Sequence, residues 1–106
     1  MPYTEDWTPE TLTREEVDAL PGFTLLEFGA EWCPHCQAVQ PQLRQALAGM
    51  PAVRHLKVED GKGRRLGRSY AVKIWPNFVL LRDGEMLNQL ARPEPLSLLA
   101  AIAELK

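Results

Sequence analysis

An α/β fold, with a mixed central sheet and helices on both faces, is what the order of elements along this chain predicts. Three observations carry it. An apolar run from Phe23 to Ala30 leads into a C-x-x-C segment and then into a helical pattern from Gln37 to Gly49. A second strand pattern follows that helix, and a strand–helix–strand unit of this kind closes as a right-handed parallel crossover. Late in the chain, Asp83-Gly84 between two further strand-like runs is a strong hairpin signal and adds antiparallel strands.

At 106 residues the chain is read as one domain over 1–106, long enough for a single hydrophobic core. Residues 1–12 contain Pro2 and Pro9 and no clear period, so they are read as irregular or as a short edge strand near Tyr3. Thr13 and Glu16 form a capping box for a helix over about 14–20, which Pro21-Gly22 ends. Phe23–Gly29 is mostly apolar, as in a central strand covered on both faces. The helix over about 34–49 offers Val39, Leu43, Ala46, Leu47 and Met50 as its buried stripe, and Pro41 should kink it. Val53–Val58 alternates and reads as a strand, Gly61-Lys62-Gly63 as a turn, and 64–70 as a short helix. Strands over 77–81 and 85–91 flank the hairpin. Pro93-Glu94-Pro95 starts a last helix with Leu98, Leu99, Ile102 and Leu105 on one face.

Composition narrows the function. Apolar content of 45% and charged content of 25% are ordinary for a globular protein. A formal charge of −2 argues against nucleic acid as the main partner, and no run approaches the roughly 18 apolar residues of a membrane span. Residues 1–59 carry net −5 and residues 60–106 net +3. Lys62, Arg64, Arg65 and Arg68 are read as the solvated side of a short helix, with steering of an acidic partner as the alternative. The N-terminus is acidic and polar rather than basic and then apolar, so a cytoplasmic location is expected. A periplasmic one is the alternative had a signal peptide been removed.

Both cysteines, Cys33 and Cys36, sit where a strand becomes a helix. Free backbone N–H groups and the positive end of the helix dipole favour an anionic sulfur there. Two cysteines are too few for a disulfide scaffold, so C-x-x-C is read as redox or metal chemistry. A structural zinc site needs four ligands, and His35 and His55 are the only other soft candidates; haem attachment needs a His at position 37, which is Gln. No metal or cofactor is expected. In disulfide exchange, Cys33 is the nucleophile and can accept N–H bonds from His35 and Cys36, while Pro34 suits the first helical position because its missing donor costs nothing there. Cys36, one turn along and shielded, resolves the mixed disulfide.

The segment Phe28-Gly29-Ala30-Glu31-Trp32-Cys33-x-x-Cys36, the proline at 41, Trp75-Pro76 and Asp83-Gly84, in this order over about residues 22–105, resemble the thioredoxin family. The resemblance implies the thioredoxin fold and thiol–disulfide exchange on protein substrates. It also implies a thioredoxin reductase or another electron donor as partner; a monomer is expected. It implies that Pro76 is cis and exposes the Trp75 backbone N–H and C=O to an extended substrate, with Trp32 and Trp75 as an apolar collar around the sulfur. It implies that Glu27, at the position of the family's buried Asp, moves a proton to and from Cys36 through a water. A buried carboxylate is costly unless neutral or paired.

Besides Glu27 in place of Asp, several positions depart from the family. Pro34-His35 replaces Gly-Pro and is the dipeptide of DsbA-type disulfide oxidases. Gly29 stands where thioredoxins usually carry Trp, His55 where they have a surface-strand Lys, and Trp75 where a small aliphatic precedes the proline. An imidazole at His35 beside the Cys33 sulfur would stabilise the reduced form and raise the potential. Potentials run from about −270 mV for thioredoxin to about −120 mV for DsbA, a span of roughly 7 kcal/mol, and a value between the two is expected. The alternatives are an oxidase or isomerase of an oxidising compartment, and a redox-gated adaptor with little turnover.

Overall fold

The computed structural model describes residues 3–9 and 11–105. Its elements are α1 (Arg14–Asp18), β1 (Phe23–Gly29), α2 (Pro34–Ala48), β2 (Val53–Glu59), α3 (Arg65–Ser69), β3 (Asn77–Arg82), β4 (Glu85–Ala91) and α4 (Pro95–Ala103). The sheet order is β2-β1-β3-β4, with β1 parallel to β2 and the other two pairs antiparallel. The elements expected from the sequence form within one or two residues of their expected ends.

β1 lies between β2 and β3 and is buried from Thr24 to Gly29. Because side chains alternate along a strand, its two faces feed two separate cores. Leu25 packs with Val39, Leu43 and Leu47 of α2, with Leu98 and Ile102 of α4, and with Phe78 and Leu80 of β3. Leu26 and Phe28 pack on the other side with Val17 of α1, Leu66 of α3, and Val79 and Leu81 of β3. In α2 the expected stripe is buried at Val39, Leu43 and Leu47, while Ala46 and Met50 are half-buried at its margin. Leu105, just past the end of α4, closes that core.

Of the two readings of the N-terminal segment, the irregular one holds over residues 3–9: they form no strand at Tyr3, and their one ladder contact among the described residues is an isolated parallel bridge from Thr8 to Val58. Residues 1, 2 and 10 of the expected N-terminal segment lie outside the described residues. Instead of a strand, side chains and single backbone groups tie this segment to the outer edge of β2. Thr8 N–H and Oγ1 donate to the Lys57 carbonyl (3.1 and 3.0 Å), and Thr8 C=O accepts from Glu59 N–H (2.8 Å). The edge of β2 is thereby covered, as an exposed edge strand requires. Under this cover β2 turns polar residues inward: His55 and Lys57 are buried beside Val53, whereas Leu56 is half-buried. The placement of His55 at the surface is therefore corrected.

The Asp83-Gly84 turn has both residues at positive φ (51° and 82°), the geometry that matches the twist of a two-residue hairpin. Asp83 also locks the start of β1: its N–H donates to the Gly22 carbonyl (2.8 Å), and its Oδ1 accepts from Gly22 N–H (2.7 Å). A Cβ on Gly84 would overlap the Asp18 carbonyl at the end of α1. Gly84→Ala therefore combines a disfavoured backbone angle with a clash against backbone. It should cost about 2 kcal/mol or more of unfolding free energy, read as a lower denaturant midpoint at unchanged slope.

Candidate active site

Cys33 is the N-cap of α2, with extended backbone angles (φ −78°, ψ 118°) and Pro34 at the first helical position. Its Sγ accepts a hydrogen bond from Cys36 N–H at 3.3 Å. The second expected donor, the His35 N–H, does not bond it among the described residues. The turn before the helix is held by Cys33 N–H donating to the Ala30 carbonyl (3.2 Å) and by Gln37 Nε2 donating to the Glu31 carbonyl (2.7 Å). Both thiols are free. Cys33 keeps 5% of its surface and Cys36 none. The Cys36 thiol is pushed up to about 12, first by burial, then by its hydrogen bond to Cys33 and the charge beside it. Cys36 thus holds its proton throughout the neutral range. The pair is asymmetric: one sulfur caps the helix at the surface and the other is sealed beneath it.

Of the expected collar around the sulfurs, Trp75 is in place and Trp32 is not. Trp32 is 72% exposed, and its ring meets Trp75 edge-on with centroids 5.6 Å apart. The aromatics packed on Ala30, Cys33 and Cys36 are Trp75 and Trp7. Trp7 comes from the N-terminal segment and fills space that Gly29 leaves open. A Cβ at Gly29 would lie 2.5 Å from Cys36 Sγ and 2.8 Å from the Trp7 ring. Gly29 is required by that close approach.

The Trp75–Pro76 peptide is cis. The Trp75 carbonyl, expected to be open to substrate, already accepts from Arg92 Nε at 2.7 Å, and the Pro76 carbonyl accepts from Arg92 N–H at 2.7 Å. The Trp75 indole donates to Asp60 Oδ2 (2.9 Å). His35 is exposed and lines a cleft with Val39, Pro76 and Arg92.

Glu27 is fully buried, as expected, and it is paired. His55 Nε2 lies 2.8 Å from its Oε1, and Gln40 Nε2 donates to Oε2 (2.9 Å). Thr4 N–H donates to His55 Nδ1 (2.8 Å), which makes that nitrogen the acceptor and leaves Nε2 to carry the proton toward Glu27. Gln40 is saturated: Nε2 also donates to the Cys36 carbonyl (2.8 Å), and Oε1 accepts from Tyr3 Oη–H (2.8 Å) and Lys57 Nζ (3.0 Å). Burial lowers the Lys57 pKa, against the opposing pull of Glu27 and other acids, while its ammonium donates to the Glu5 carbonyl (2.8 Å) and sits over the Trp7 ring. Sequence reasoning missed Trp7, Gln40, Lys57 and Arg92, and misplaced His55. One signal was available: a carboxylate inside an apolar strand demands partners, and β2 offers His55 and Lys57 at positions of one parity.

A C-x-x-C pair at the carboxyl end of a central strand, one sulfur capping the next helix and the other buried, is the site of a dithiol redox domain. Among the described residues no group of three or more His, Cys, Asp or Glu side chains comes together to hold a metal. A family model for thioredoxin matches residues 7–104, and the chain belongs to the thioredoxin family. It is 49% identical to thioredoxin 2 from Pseudomonas aeruginosa, solved in its reduced form. That superposition has a TM-score of 0.85 and covers 97% of this chain and 96% of that one. It is 26% identical to oxidised mitochondrial thioredoxin 3 from Saccharomyces cerevisiae (TM-score 0.76, 84% of each chain). Among curated relatives, Thioredoxin-2 of Pyricularia oryzae is 30% identical over 95 residues, which is 88% of this chain and 56% of that protein. The chain thus spans little more than half the length of that relative, and 64% of curated yeast Thioredoxin-3.

Two measurements check this site. In the reduced protein at pH 7–8, a small alkylating agent should modify one thiol per chain, at Cys33. Because the unfolded Cys36 thiol titrates near 9 and the folded one near 12, the unfolded chain sheds that proton first. The contribution of Cys36 to stability is complete below pH 9 and is lost as pH rises toward 12. Urea melts of the reduced protein should therefore weaken over that range more than those of Cys36→Ala. Trp7→Ala should cost about 2 kcal/mol of stability and raise the alkylation rate of Cys36 at least tenfold. An unchanged rate would mean that Trp7 does not seal the sulfur.

Proposed function

We propose that this domain exchanges dithiols for disulfides on protein substrates. The observation that carries the reading is the asymmetry of the pair: Cys33 at a helix N-cap, Cys36 sealed and protonated beneath it. The Cys33 thiolate attacks one sulfur of a substrate disulfide; an S–S bond forms to Cys33 as the substrate bond breaks, and the other substrate sulfur leaves as a thiolate. Cys36 then loses its proton and attacks Cys33, releasing the second substrate thiolate. Two electrons pass to the substrate, and a Cys33–Cys36 disulfide remains. A thioredoxin reductase or an equivalent donor restores the dithiol. The cytoplasm, where such donors keep thiols reduced, is the compartment that suits this direction.

A sulfur whose proton is held up to about 12 needs a base at the second step. Glu27 is the buried carboxylate joined to the first turn of α2, through Gln40 and the Cys36 carbonyl. We assign it the proton, passed through a water. Pro34-His35 replaces the thioredoxin Gly-Pro, and the reading that follows is a potential above that of thioredoxin, set by the His35 imidazole beside the sulfur. The exposed placement of His35 on the first turn suits a modest effect.

Insulin reduction in the presence of a thioredoxin reductase and NADPH tests the reaction. Coupled turnover supports it, oxidation of reduced substrates without turnover favours an oxidase, and neither supports an adaptor. Equilibration with glutathione gives the potential: a value at or below about −270 mV would remove the role of His35. His35→Gly should make the pair more reducing by roughly 30 mV, equivalent to about 1.4 kcal/mol.

A further inference from the structure

Arg92 reverses the polarity of the backbone edge beside the sulfur. An extended chain docking on a strand edge needs acceptors for its own N–H groups, and the Trp75 carbonyl is occupied by Arg92 Nε at 2.7 Å. Arg92 holds a left-handed backbone angle (φ 44°), unusual for a residue with a side chain. Its own N–H, bonded to the Pro76 carbonyl at 2.7 Å, fixes it there. The side chain spends one of its five N–H donors on Trp75. Its two Nη groups make no hydrogen bond, ion pair or ring contact among the described residues, and the residue is exposed. What the edge presents to solvent is therefore a planar fork of donors.

The surroundings fit an anionic occupant. Arg92 lines a cleft of about 160 Å³ with His35, Val39, Pro76, Pro93 and Pro95, which holds no acidic side chain and adjoins the turn that carries Cys33. On the other side of Trp75, the indole engages Asp60, the one acid lining a second cleft whose remaining charged side chains are Lys62, Arg64, Arg68 and Lys73. Basic side chains thus outnumber acids in both clefts, in a chain of net charge −2. Glu31, exposed next to Trp32, is the acid nearest in sequence to Cys33.

We propose that Arg92 is a specificity residue that selects protein disulfides whose reacting cysteine is flanked by an Asp or Glu, received in the guanidinium fork beside Pro76. Carboxylate and guanidinium pair through two parallel N–H···O bonds. This rests on the exchange reading above. The test uses three disulfide-linked peptides that differ in one residue flanking the cysteine: Glu, Gln or Lys. The readout is the second-order rate constant for their reduction by the reduced protein. At low salt the Glu peptide should react roughly three- to tenfold faster than the Lys peptide, and 0.5 M NaCl should narrow the ratio. Arg92→Gly keeps a residue suited to the left-handed angle and removes the fork. Its Glu-to-Lys ratio should fall to within about twofold of unity, and Arg92→Lys should retain only a salt-sensitive part of the preference. Equal wild-type rates on all three peptides, or a full preference in Arg92→Gly, overturn the role of Arg92 and leave exchange standing. Failure to reduce even the Gln peptide overturns the exchange reading and the proposal with it.

Discussion

The buried carboxylate of Glu27 is the constraint that the rest of the site is built to satisfy. A carboxylate in the middle of a sheet and shielded from water costs several kcal/mol unless its oxygens are hydrogen-bonded. Here each oxygen has a partner, and each partner is fixed by others: His55 by Thr4, and Gln40 by Tyr3, Lys57 and the Cys36 carbonyl. Four parts of the chain meet at this one group: the N-terminal segment, β1, α2 and β2. The irregular course of residues 3–9 follows from it. A regular strand would not place Thr4 N–H on an imidazole, Tyr3 Oη on an amide and a Glu5 carbonyl on the Lys57 ammonium at once.

The same segment supplies the roof over the sulfurs. Gly29 removes a side chain beside Cys36, and the gap is closed by Trp7, anchored by the Thr8 bonds to β2 and covered by Lys57. An aromatic ring borrowed from a distant part of the chain does what a side chain on β1 would do locally. It does so at a cost in chain entropy that the β2 hydrogen bonds offset. Burial of Cys36, and with it the high hold on its proton, therefore draws on residues 3–9 as well as on α2.

What could be read from the sequence was what local chemistry decides. The apolar run of β1, the Thr13–Glu16 capping box (observed with both of its hydrogen bonds), Pro34 at the start of α2 and the Asp83-Gly84 turn each carry their cause within a few residues. The burial of Glu27 was legible for the same reason. His55, Lys57, Trp7 and Arg92 were not, because their positions depend on contacts across many residues of chain. The alternation in β2 marks a strand but not which residues turn inward, because both faces are covered: Val58 enters one core with Leu56 at its margin, while Val53, His55 and Lys57 are buried on the other side. Only the register Leu25↔His55 and Glu27↔Lys57 shows that these polar side chains share the inward face with Glu27. Arg92 lies beside Pro93 in the sequence, and nothing nearby marks it as a residue with positive φ and two backbone contacts.

The register also explains why Glu27 and His55 occur together. His55 sits opposite Leu25, two residues along from the partner of Glu27, so the pair is diagonal across the parallel strands β1 and β2; with strands about 4.8 Å apart and a rise of about 3.3 Å per residue, such neighbours are about 8 Å apart at the backbone. Closing that span to 2.8 Å takes reach from both sides, the imidazole from one strand and a four-atom carboxylate arm from the other. An Asp at 27 gives up one methylene of that reach, and it would also have to hold Gln40 on α2 with its second oxygen. The longer acid and the inward histidine are thus two halves of one solution. Because Gln40 Nε2 is shared between Glu27 and the Cys36 carbonyl, whatever repositions that acid is felt at the first turn of α2. The sheet interior and the reactive turn are coupled through a single amide.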